Sequence, residues 1–142
     1  MSTARILVVD DNAADINLLR MALDAQKENY HLEVLRNGQD ALRFVQDQTG
    51  SEHGPDPCVI LLDLHLPQFD GLAVLEAIRK TPALAHVHVV VLSGLASPEQ
   101  KNKIAALGAV YRQKPFQLSE FLELGASVLM MCKGSTSLAQ SV

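Results

Sequence analysis

The chain has 142 residues, 12 Lys and Arg against 16 Asp and Glu, and a formal net charge of −4. That length fits one domain, and burial of ~68% of the unfolded chain's surface leaves room for a true core. With 48% hydrophobic and 20% charged residues, the composition argues against a disordered chain, and its mild acidity argues against nucleic acid as the main partner.

The start, Met1 to Arg5, runs directly into an apolar segment, so no signal peptide is expected. No apolar run approaches the ~20 residues of a membrane span. Cys58 and Cys132 do not make a disulfide framework, and the protein reads as cytoplasmic and reduced. Cys58 is expected to be an inert core thiol and Cys132 a more exposed one near the tail.

Arg5–Val9 (RILVV) is a first strand, apolar enough to be buried on both faces. Asn12 can cap a helix, Asp15 sits in its first turn, and Ile16, Leu19 and Leu23 form its apolar stripe. His31–Leu35 is a second strand. Asn37-Gly38 breaks the chain, and Ala41, Leu42 and Val45 mark a second helix. Gln48–Pro57, with two Gly and two Pro, reads as a long loop. Cys58–Leu62 (CVILL) is the third strand. After a turn at Pro67–Gly71, a third helix carries Val74, Leu75 and Ile78 and stops before Pro82. His88–Leu92 (HVVVL) is the fourth strand. Ser97-Pro98-Glu99-Gln100 is a capping box that starts a fourth helix, which carries Ile104 and Leu107 and ends at Gly108. Ala109–Gln113 is the fifth strand, and a last helix begins near Ser119. Residues 1–133 form the domain, and 134–142 are polar enough to be a flexible tail.

Strands alternating with helices imply parallel strands joined by crossovers, with functional groups beyond the strands' carboxyl ends. At those ends stand Asp10-Asp11, Asp63, Ser93-Gly94 and Lys114-Pro115. Polar residues often begin loops, but three aspartates converging on one edge repel one another and call for a cation. Mg²⁺, a hard ion with oxygen ligands, suits them. A carboxylate can attack phosphorus, a lysine supplies a point positive charge, and a serine hydroxyl can bond a phosphoryl oxygen.

The motifs ILVVDD (6–11), LLDLHLPQFDG (61–71), VLSG (91–94) and YRQKPF (111–116) resemble those of the receiver domains of two-component response regulators, the CheY-like group. Ser93 lies 30 residues after Asp63, and Lys114 lies 21 after Ser93, spacings similar to the family's. The resemblance covers residues 5 to 131. It implies a flavodoxin-like (βα)5 fold with a five-stranded parallel sheet of order 2-1-3-4-5. It also implies roles: Asp63 as phosphoacceptor; Asp10, Asp11, Asp63 and the backbone carbonyl of His65 as Mg²⁺ ligands; Ser93 as switch hydroxyl; Lys114 as phosphate-binding lysine; Tyr111 as an aromatic that turns inward on activation. Lys114-Pro115 would be a cis peptide, and Pro67 and Gly71 fit the turn after the phosphoacceptor strand.

Ser replaces the commoner Thr at 93, and His65 and Leu95 occupy positions that tune the phosphate's lifetime in the family. With the DLHLPQFDG segment and no output domain following residue 131, the chain resembles stand-alone receivers paired with bacterial phytochrome kinases. Expected partners are a histidine kinase, of phytochrome type, or a phosphotransfer protein, and a second copy through the face of helix four, strand five and helix five. Neither direct DNA binding nor membrane association is expected, and catalysis is limited to the protein's own phosphorylation and dephosphorylation. The alternatives are a phosphate-independent pseudo-receiver, against which the intact Asp10, Asp11, Asp63, Ser93 and Lys114 argue, and a small aspartyl-phosphate hydrolase, for which the chain leaves no cap domain. His86 and His88 alternate at a strand entrance and read as an exposed edge rather than a metal pair.

Overall fold

The computed structural model describes residues 3–48 and 56–141, with side chains as far as Lys133. In chain order the elements are β1 (Ala4–Val9), α1 (Ala13–Ala25), β2 (Tyr30–Leu35), α2 (Gly38–Asp47), β3 (Val59–Asp63), β4 (His65–Leu66), β5 (Phe69–Asp70), α3 (Gly71–Lys80), a short 3₁₀ turn (Pro82–Leu84), β6 (His88–Ser93), α4 (Pro98–Ala106), β7 (Val110–Gln113) and α5 (Leu118–Ser141). Most of the loop expected before the third strand lies outside the described residues. So do the side chains of the segment expected to be a tail.

Five strands form one sheet in the order β2-β1-β3-β6-β7, with every neighbouring pair parallel. Counting only these strands, that is the expected order 2-1-3-4-5. The central strands β1, β3 and β6 are apolar because both their faces are covered. Leu7, Val9, Ile60, Leu62, Val89 and Val91 pack with α2, α3 and α4, whereas Ile6, Val8, Val59, Leu61, Val90 and Leu92 pack with α1 and α5. Two cores thus sandwich the sheet, and the side-chain period of 2 sorts one strand's residues between them. The sheet register brings the ends of β1, β3 and β6 level: Val9 pairs with Leu62, and Asp63 with Leu92.

Helix starts follow their caps. Asn12 Oδ1 accepts from the Asp15 N–H (3.1 Å), and Ser97 and Gln100 close the expected capping box. Asn37 is also a cap, accepting from the Asp40 N–H (2.7 Å), so Asn37-Gly38 starts α2 as well as breaking the chain. Between β3 and α3 the chain forms a two-stranded antiparallel hairpin, β4–β5, that periodicity over two-residue strands cannot reveal. Pro67 and Gln68, with Gln68 at φ 59°, occupy the central positions of its turn.

The cysteines correct an expectation. Cys58, just before β3, and Cys132, on α5, form a disulfide across 74 residues, with Cα atoms 5.3 Å apart. The sequence placed Cys132 at the margin of a tail. In fact α5 continues past it and carries it back over the amino-terminal edge of the sheet, where it is buried against Val59 and Leu61 in one core cluster.

Candidate functional site

Four loops meet at the carboxyl edge of the sheet. Asp10 ends the run after β1 and is 4% exposed; its Oδ1 accepts the Asn12 N–H at 2.9 Å. Asp11 beside it is exposed. Asp63 is the last residue of β3 and is 7% exposed; its Oδ1 accepts the His65 N–H at 3.0 Å. One carboxylate oxygen from each of Asp10, Asp11 and Asp63 lies within 4.8 Å of the others. This all-oxygen, acidic donor set fits a hard divalent cation.

Lys114, following β7, reaches into the cluster. Its Nζ lies 3.1 Å from Asp63 Oδ2, 3.3 Å from Asp10 Oδ2 and 3.0 Å from Asp15 Oδ2. Burial works against its charge, but the hydrogen bond to Asp15 and the charges of Asp10 and Asp63 outweigh it, and the lysine's pKa is raised. Burial also pushes the Asp10 carboxyl above its usual range; the Asn12 N–H and Lys114 pull it back, and Asp63 pushes it further up.

In the sequence Asp15 reads only as a first-turn helix residue. The structure makes it a partner of Lys114. The signal was its place: in the first turn of α1, directly after the Asp10-Asp11 pair, its carboxylate reaches Lys114.

Ser93 is buried at the end of β6, but its hydroxyl does not face Asp63. It donates to the Leu95 carbonyl (2.7 Å) and accepts from the Leu95 N–H (3.2 Å). The His65 ring reaches the same carbonyl through Nε2 (3.1 Å). The Ser93 carbonyl in turn accepts the Tyr111 hydroxyl (3.1 Å) and the Lys114 N–H (3.0 Å). Lys101 Nζ lies 5.1 Å from the centre of the Tyr111 ring. Asp10, Asp11, Asp63 and Lys114 are therefore gathered in one cluster, and Ser93 and Tyr111 are joined to it through backbone groups.

Every described peptide bond is trans, Lys114–Pro115 included, where the resemblance implied cis. Before proline the trans form is favoured by roughly 0.5–1 kcal/mol. With this bond trans, Lys114 Nζ lies among the carboxylates while its N–H stays on the Ser93 carbonyl.

A parallel doubly wound sheet with an acidic triad and a lysine at its carboxyl edge defines a signalling receiver, and the chain belongs to that family. Residues 6–124 match the response regulator receiver domain model. Among individual proteins it is similar to the response regulator Rcp1 of Synechocystis, 42% identical over 88 residues that cover 62% of this chain and 60% of that protein. The matched stretch is thus less than two thirds of that relative's length. A crystal structure of Rcp1 in its Mn²⁺-bound form superposes with a TM-score of 0.76 at 32% identity, covering 88% of this chain and 91% of that one. The phosphorylated cyanobacterial phytochrome response regulator RcpA gives a TM-score of 0.78 at 31% identity, over 89% and 91%.

Proposed function

We propose that the chain is a single-domain response regulator that takes a phosphoryl group onto Asp63 from a histidine kinase, in a Mg²⁺-dependent reaction, and signals by a conformational switch. The observation that carries this reading is Lys114 Nζ held 3.1 Å from Asp63 Oδ2 with the Asp10 and Asp11 carboxylates alongside. Asp10, Asp11, Asp63 and the His65 carbonyl would hold the metal, which neutralises phosphoryl charge when bound.

In the transfer an Asp63 oxygen forms the O–P bond as the donor's P–N bond breaks, and the electron pair leaves with the imidazole nitrogen. Lys114, already paired with Asp63, exchanges a carboxylate oxygen for a phosphoryl oxygen without leaving the site. Ser93 exchanges the Leu95 carbonyl for the phosphoryl group. Because the Ser93 backbone also carries the Tyr111 hydroxyl, that exchange moves the face formed by α4, β7 and α5. Catalysis goes no further than the protein's own phosphorylation and hydrolysis.

The likeness to Rcp1 and RcpA favours a phytochrome-type kinase as donor, with a phosphotransfer protein as the other partner class. The open edge of β7, where Val110 is exposed, offers the face for a homodimer. Direct DNA binding has no part in this reading. Among the described residues no helix is long and apolar enough to cross a membrane, and the proposed place of action is the cytoplasm.

Acetyl phosphate with Mg²⁺ should add one phosphoryl group by intact mass, and Asp63→Asn should abolish the gain. An unchanged mass in the native protein would favour the phosphate-independent module; a gain retained in Asp63→Asn would move the acceptor elsewhere. Faster transfer from a bacterial phytochrome kinase than from an unrelated histidine kinase would identify the donor class.

A further inference from the structure

The two cysteines sit at the end of the sheet opposite the acidic cluster and take no part in the chemistry above. We propose that Cys58 and Cys132 are a reversible thiol–disulfide site, addressed by a low-molecular-weight disulfide of the glutathione type, that fastens the far end of α5 to the sheet.

The backbone of Cys58 is tied to the sheet on both sides. Its N–H donates to the Arg5 carbonyl at 2.8 Å, and its own carbonyl accepts the His88 N–H at 3.3 Å. Its sulfur lies 3.2 Å from the Arg5 carbonyl oxygen, so the reduced thiol has a hydrogen-bond acceptor in place. Cys132 is held by the packing of α5: Val128 and Leu129, one turn before it, are buried in the same core cluster. The Cα separation of 5.3 Å falls within the range a disulfide requires.

Cys58 is half-buried and Cys132 buried, which orders the chemistry. The Cys58 thiolate attacks one sulfur of the small disulfide and releases the first thiol, which takes up a proton. The Cys132 thiolate then attacks the Cys58 sulfur of the mixed disulfide and displaces the second thiol. Two protein thiols and one small disulfide give one protein disulfide and two small thiols, and reduced glutathione in excess runs the exchange backwards.

The consequence is mechanical. At its other end α5 places Phe121 and Leu124 beside Lys114 and Pro115, so one helix links the thiol pair to the lysine loop. Closing a loop of 74 residues restricts the unfolded chain, and the melting temperature should rise by on the order of 10 °C.

The test uses the full chain and is independent of phosphoryl transfer. Protein pre-reduced and dialysed should take up two alkyl groups under denaturing alkylation. After oxidised glutathione it should take up none, with a mass lower by two hydrogens, a higher melting temperature and slower amide exchange along α5. Reduced glutathione should restore both thiols. Cys58→Ser and Cys132→Ser should show no melting response to either reagent. The proposal is overturned by two alkylatable thiols after oxidation, by a stable glutathione adduct in place of the internal bond, by a disulfide that excess reduced glutathione does not reopen, or by the same melting shift in the serine variants.

Discussion

Lys114→Met tests the electrostatic design of the site. The lysine faces three carboxylate oxygens at 3.0–3.3 Å. At an effective dielectric of ~20 each such pair attracts by about 5 kcal/mol before the desolvation of the groups is subtracted. Removing one partner of a buried ion pair leaves a net loss of roughly 3–5 kcal/mol. Because the Lys114 side chain is 21% exposed, the low end applies, about 3 kcal/mol, or a melting temperature lower by on the order of 10 °C in metal-free buffer. The four acidic groups left behind gain affinity for a divalent cation. Mg²⁺ at a hundred times its dissociation constant adds about 2.7 kcal/mol, so it should restore most of the loss. The assay is thermal unfolding with and without Mg²⁺, beside acetyl phosphate labelling, which should be slow in the variant even with metal. A melting temperature within about 2 °C of the native value in chelator, or a loss that Mg²⁺ leaves untouched, would refute the idea that Lys114 stands in for positive charge at this cluster.

Other perturbations follow from the same contacts. Gly71→Ala would place a Cβ 2.7 Å from the Asp63 carbonyl oxygen and 2.8 Å from Leu64 Cα, backbone atoms that cannot step aside; stability should fall by about 2 kcal/mol in urea, with slower phosphorylation. Arg79→Ala deletes hydrogen bonds to the part-buried carbonyls of Leu107, Ala85 and Val87 and to the exposed carbonyl of Gly108, and should cost about 1–2 kcal/mol in the same assay without altering labelling at Asp63. Asp10 has its pKa raised above 3.8 on folding, so its effect on stability is most favourable at low pH and is lost as pH rises through the folded value; Asp10→Asn should therefore raise the melting temperature at neutral pH without metal, the gain vanishing below about pH 4. Beryllofluoride should shift the NMR signals of Tyr111 and α4 in the native protein, and Ser93→Ala should still accept phosphate on Asp63 but show those shifts much more weakly.

The central strands were the most legible part of the molecule, because burial on both faces demands unbroken apolar runs, and RILVV, CVILL and HVVVL supply them. The ends of those strands then located Asp10, Asp11, Asp63 and Ser93 without further geometry, and the end of the edge strand β7 located Lys114. What stayed hidden depends on contacts between distant residues. Asp15 reads as a helix-start residue until α1 is packed beside β7's loop. The hairpin β4–β5 is too short to carry a period. Cys58 and Cys132 are 74 residues apart, and only the length of α5 brings the second over the first. The peptide before Pro115 stayed hidden for another reason: its isomer is set by a small energy difference that no local pattern records.

Where the Ser93 hydroxyl points is likewise outside the sequence, and under the proposed function it bounds how strong the switch would be. In the unphosphorylated protein the hydroxyl donates to the Leu95 carbonyl at 2.7 Å. Turning to a phosphoryl group exchanges a neutral hydrogen bond, worth about 1 kcal/mol net, for a charge-assisted one roughly twice as strong. The Leu95 carbonyl keeps a partner in the His65 ring, so the exchange leaves no acceptor stranded. The net drive from this one group is about 1 kcal/mol, a five- to tenfold change in population rather than the ~5.5 kcal/mol an all-or-none transition requires. The rest must come from Lys114, whose N–H and the Tyr111 hydroxyl share the Ser93 carbonyl. Beryllofluoride should therefore shift Ser93→Ala partway, leaving Tyr111 signals between the free and fully switched positions. A complete shift in that variant would mean that Lys114 alone drives the change, and a complete absence would mean that the hydroxyl carries all of it.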